Sequence, residues 1–110
     1  MAGRSFASKF EAEIFQRLSL MEAAGEVKEI RCQDHVFLTE ARIEYIPDFR
    51  VFDLKLQQLV WHEAKGFETD VFRLKKKLWK FYGPGRLIIY KGNAKSYRIA
   101  EVIIPRESRY

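Results

Sequence analysis

The chain has 110 residues, of which 47% are hydrophobic and 15% aromatic, enough for one packed core and too apolar for a disordered segment. It carries 20 basic and 15 acidic side chains, a net charge of +5, and a lone cysteine, Cys32, which excludes an intrachain disulfide and a cysteine-built zinc centre. No run approaches the ~18 apolar residues that cross a bilayer, and "MAGRSFASKFEAE" lacks the apolar segment of a secretory signal, so a reducing, cytoplasmic location away from membranes is expected.

The first predicted element is a helix from Ser8 to Ala24. Phe10, Ile14, Leu18 and Met21 recur at steps of three and four and give it one apolar stripe. Ser8 with Glu11 fits a capping box, and Gly25 fits a stop. "EVKEIRC" and "HVFLT" read as short strands. "ARIEYIPDFRVFD" reads as one longer strand with Ile43, Tyr45, Phe49 and Val51 on one face. Pro47 donates no ladder bond, so it belongs at an edge, a bulge or a strand end. "DLKLQ" is the turn region, with Asp53 as a turn former, and "QLVWHEAKG" is the returning strand. A second helix runs from Thr69 to Tyr82, with Val71, Leu74, Leu78 and Phe81 as its buried stripe. "GPG" at Gly83–Gly85 ends it. "RLIIYKG" suits a strand buried on both faces in a parallel pair, and "SYRIAEVIIP" supplies the last strand. The expected fold is α/β, a mixed sheet with flanking helices in the order α-β-β-β-α-β-β.

The hairpin carries charges that strand interiors usually avoid. Glu63 and Lys65, two residues apart, share a face, and Asp48 lies on the neighbouring strand. Two carboxylates brought together resist ionising unless a cation sits between them, and oxygen ligands of this kind suit Mg²⁺ or Mn²⁺. The Ala64 carbonyl could add a further oxygen. Lys65 beside such a cation could orient or deprotonate a water and stabilise a pentavalent phosphate. His62 points away from Glu63 and reads as a packed histidine; His35 has no partner pattern. Trp61 and Trp79 read as core or dimer contacts.

Pro47-Asp48, fourteen intervening residues, then Glu63-Ala64-Lys65 resembles the PD-(D/E)xK nuclease superfamily. With "FETDVFRLKKKLW" following, the chain looks like the phage endonuclease I type of Holliday-junction resolvase, and still more like small phage nuclease-like proteins. The resemblance covers about residues 5–92. It implies a single restriction-endonuclease-like domain, with Asp48 and Glu63 as metal-binding acids and Lys65 as the catalytic lysine. Glu11 matches the acidic residue on the first helix that reaches the metal directly or through water, with Glu13 as the fallback. Gly66 matches the small residue after the lysine. Gln33 and Arg50 are possible helpers.

Charge placement agrees with a polyanionic partner. Residues 1–70 hold 9 basic and 13 acidic side chains, whereas residues 71–100 hold nine basic and no acidic ones. Arg73, Lys75, Lys76, Lys77 and Lys80 on the second helix are the expected phosphate contacts. The function expected is an Mg²⁺-dependent DNA endonuclease acting on branched DNA. Cutting two symmetric strands of a junction implies a homodimer. Two other readings compete: a nucleic-acid-binding or virion-assembly accessory protein with a silent site, and a structural module whose basic face is merely solvated.

Overall fold

The computed structural model describes residues 6–106. Helix α1 (Lys9–Ala23) starts where Ser8 caps it, the Ser8 hydroxyl accepting from the Glu11 N–H at 3.0 Å. It ends in a left-handed turn at Gly25 (φ 78°). There the Glu26 N–H reaches back to the Met21 carbonyl at 2.9 Å and the Gly25 N–H to that of Glu22 at 3.0 Å. Phe10, Ile14 and Leu18 of its expected stripe are buried, together with Phe15, and Met21 packs at the margin.

The strands follow as β1 (Val27–Cys32), β2 (Val36–Phe37), β3 (Glu44–Tyr45), β4 (Phe49–Asp53) and β5 (Gln58–Ala64). After them come helix α2 (Asp70–Tyr82), β6 (Arg86–Gly92) and β7 (Tyr97–Ile103). The main sheet is mixed, in the order β1-β4-β5-β6-β7, with only β5 and β6 parallel. α2 connects that parallel pair. Alternation along β5 and β6 divides the core. Val60 and Tyr90 pack with α1 on one face, while Trp61, Leu87 and Ile89 pack with α2 on the other. Among the described residues no helix is long and apolar enough to cross a membrane.

Two expectations change. The long strand over residues 41–53 is broken at Ile46–Asp48, where Pro47 cannot supply a ladder donor. β3 leaves the main sheet to pair with β2, so five strands lie between the helices where the sequence reads as three or four. The break also switches faces. Tyr45 packs on Phe72 and Trp79, Phe49 and Val51 pack beneath α1, and Ile43 is exposed.

The second change concerns α2. Its buried residues are Phe72 and Trp79, two turns apart, not the stripe of Val71, Leu74, Leu78 and Phe81. Trp79 is fully buried and crosses the rings of Tyr45 and Trp61 edge-on at 5.7 and 5.4 Å. Its indole N–H donates to the Gly85 carbonyl at 2.8 Å. Two large aromatics fill the space under the helix, which turns Val71, Leu74 and Phe81 outward and leaves Leu78 packed at the margin of the cluster. A side chain at Gly85 would meet the Trp61 ring at 2.7 Å, so the turn after α2 closes directly onto this aromatic cluster.

Candidate active site

Phe49 pairs with His62 across β4 and β5, which sets Asp48 opposite Glu63 where the strand break meets the end of β5. Asp48 has left the ladder, and carboxylates take over the backbone pairing between the two strands there. The Asp48 N–H donates to Glu63 Oε1 at 3.0 Å, and the Ala64 N–H donates to Asp48 Oδ2 at 2.8 Å. Lys65 Nζ lies 3.2 Å from Glu63 Oε2 and 4.3 Å above the Phe72 ring. Asp48, Glu63 and Lys65 thus meet at one point, as strand parity requires.

Both acids are buried. Burial holds the Asp48 carboxyl well above the usual carboxylate range, and the neighbouring Glu63 charge adds to this. Burial also raises Glu63, although the Lys65 ammonium opposes the shift. Tyr45 is buried beside them, its phenol pushed up by burial and then by the Glu63 charge.

Glu11 approaches from α1 without joining the pair. Its Oε1 accepts from Gln33 Nε2 at 3.4 Å, and the Gln33 N–H donates to the Asp48 carbonyl at 3.0 Å. Gln33 takes a left-handed φ of 57° to make both contacts. Burial raises the Glu11 pKa, with Gln33 opposing. Among the described residues no three Asp, Glu, His or Cys side chains are gathered closely enough to share one ion. Glu13 faces a different groove, beside Gln16, Arg17 and Tyr97.

A divalent cation fits this donor set as two carboxylates plus backbone. Repulsion between buried, hard oxygen ligands is what a cation relieves, and Mg²⁺ commonly takes only one or two carboxylates and completes its shell with water. The N–H and C=O of a strand residue point to the same edge. The Ala64 carbonyl therefore faces the side on which its N–H meets Asp48.

The basic helix is less uniform than its sequence. Lys77 and Lys80 are exposed and Lys75 half-buried. Arg73 pairs with Asp70 at 2.7 Å. Lys76, one of the expected phosphate contacts, is turned inward, 2.8 Å from both Glu68 and Glu101. His62 is packed as expected, hydrogen-bonded to the Tyr90 hydroxyl at 2.9 Å, with burial lowering its pKa to about 4. His35 does have a partner, Glu44, at 2.7 Å.

The family described as "Protein of unknown function (DUF1064)" matches residues 1–96. The chain belongs to that family. Neither a curated protein nor a solved structure matches it.

Sequence reasoning missed Glu68. It accepts from Lys76 and from Lys91, and so ties the loop after Lys65 to both α2 and β6. These partners lie 8 and 23 residues away, beyond any local pattern. Tyr45 was placed on a strand but not at the acids. Its position two residues before Pro47 was the available signal.

Proposed function

We propose that the chain is a metal-dependent DNA endonuclease with a restriction-endonuclease-like fold, selective for branched DNA and acting as a homodimer. The observation that carries this reading is the convergence of Asp48, Glu63 and Lys65 at the break between β4 and β5. Asp48, Glu63 and the Ala64 carbonyl would hold Mg²⁺ or Mn²⁺, and a cation bound there would polarise the scissile phosphate and acidify a water.

Lys65 supplies donors for the phosphate oxygens, whose charge grows towards the transition state. Its aliphatic stem and ammonium are steadied by the Phe72 face, so the head group stays at the acids. Glu63 holds it there through Oε2, while Oε1 fixes the Asp48 backbone. Glu11 is a positioning residue, acting through Gln33 on the backbone of Asp48. Lys75, Lys80 and Arg73 supply backbone contacts to DNA, which carry affinity without reading sequence.

The test offers a four-way junction, a flap, single-stranded DNA and plain duplex side by side with Mg²⁺. Cleavage is expected to favour the branched substrates. Asp48→Asn and Lys65→Ala should lose it while still binding DNA. No cleavage of any substrate, or wild-type turnover by either variant, refutes the proposal.

A further inference from the structure

Helix α2 is apolar on two sides. Phe72 and Trp79 face the core, while Val71, Leu74 and Phe81 face outward and are 61%, 56% and 51% exposed. Phe67, just before the helix, is 79% exposed and Tyr82 is 58% exposed. Nothing among the described residues covers the centre of this stripe. At these exposures each residue offers on the order of 100 Å² of apolar surface, so the stripe totals roughly 500 Å², near the upper end for a monomer. Pairing it with an equal surface removes roughly 1,000 Å² from water, about the threshold for a specific interface.

We propose that this stripe is the seat of a two-fold, antiparallel pairing of α2 with α2 of a second copy of the chain. The flanking charges single out this occupant. Asp70 and Lys77 are two turns apart and so lie on the same flank of the stripe. In an antiparallel pair the same flank of each helix meets its counterpart. With the two-fold axis beside Leu74, Asp70 lies four residues before the axis and Lys77 three after it. Asp70 of one copy therefore lies within one residue's rise, about 1.5 Å along the axis, of Lys77 of the other, and the contact occurs twice. The Asp70 side chain is 98% exposed while it pairs with Arg73 of its own helix, and Lys77 is exposed, so Lys77 of the second copy can reach across to it. A parallel pair would instead bring opposite flanks together and turn Lys77 of one copy towards Lys75 of the other.

Sedimentation velocity of the full chain across a wide concentration range tests this. The wild type should reach a dimer. Leu74→Glu, at an exposed position, should be monomeric with an unchanged circular dichroism spectrum and the unfolding midpoint of wild type diluted to monomer. Asp70→Lys and Lys77→Glu should each weaken self-association at least tenfold, since each sets like charges together. An equimolar mixture of the two should restore a heterodimer, because every flanking pair is then opposite in sign. A wild type that stays monomeric, a dimeric Leu74→Glu, or a mixture no tighter than its components overturns the proposal. So does a monomeric wild type that binds anionic phospholipid vesicles through Leu74.

Discussion

Replacing Glu68 by Gln keeps the side chain's shape and removes its charge at the point where the loop after Lys65 is anchored. The Glu68 side chain is 10% exposed, and its partners Lys76 and Lys91 are 19% and 33% exposed. Each bond to a charged group is worth about 1.5–3 kcal/mol when shielded from water. Lys76 keeps Glu101 at 2.8 Å, and Lys91 is open enough to rehydrate, so the loss is well below the sum of two such bonds. A destabilisation of about 2 kcal/mol is expected near neutral pH, and a fall in Tm of roughly 8–12 °C for a chain of this size. The pH dependence follows from the same contacts. Hydrogen bonds from Lys76 and Lys91 hold the Glu68 carboxyl down to about 2. A depressed carboxylate contributes stability above its unfolded pKa and loses it as pH falls through the folded one. The gap between wild type and variant should therefore be full above the ordinary glutamate range and close as pH falls towards about 2. Thermal unfolding of both proteins over that acid range measures it. Equal midpoints near neutral pH, or a gap that persists unchanged into acid, would refute the anchoring role.

Glu11→Gln retains the backbone N–H that Ser8 caps, so stability should move by less than about 0.5 kcal/mol, while the cleavage rate should fall; an unchanged rate removes α1 from the site. Burial raises Asp48 and Glu63, so their ionisation increasingly destabilises the metal-free protein as pH rises from the ordinary carboxylate range through neutral. Mn²⁺ should accordingly raise Tm, more so as pH rises across that window and not at all in Asp48→Asn. A pH-independent shift would place the ion elsewhere. Replacing Lys75 and Lys80 together by Gln should leave Tm nearly unchanged. The same change should flatten the dependence of log Kd for DNA on log salt by roughly 2 units, about 0.9 per lost phosphate contact. An unaltered slope would mean that DNA lies on another surface.

The acid pair and its lysine were legible because strand parity is strict: Glu63 and Lys65 must share a face, and pairing brings Asp48 opposite. The cap of α1, its stop at Gly25 and the parallel strand β6 were legible for similarly local reasons. The orientation of α2 was not. Its aliphatic residues repeat at helical spacing, and so do Phe72 and Trp79; only the shape of the cavity beneath Tyr45 and Trp61 decides between the two stripes. The neutralisation of Lys76 was hidden because Glu101 lies 25 residues away on a strand whose neighbours could not be fixed from sequence. Pro47 did mark a strand end, but periodicity carried the reading across it and kept Tyr45 on the wrong face.

The amide hydrogens of Asp48 and Ala64 are held by carboxylates, where an ordinary sheet would use carbonyls. A carbonyl keeps its acceptor strength at every pH and under every ligand, whereas these acceptors change whenever the acids gain a proton or a cation. Deuterium exchange at those two backbone positions should therefore track the state of the cluster, even in DNA-free protein, while neighbouring amides in the β4–β5 ladder stay constant. The same coupling makes the seam vulnerable. A variant that silences the acids also unfastens the strand break, so loss of chemistry and local opening of the backbone would arrive together.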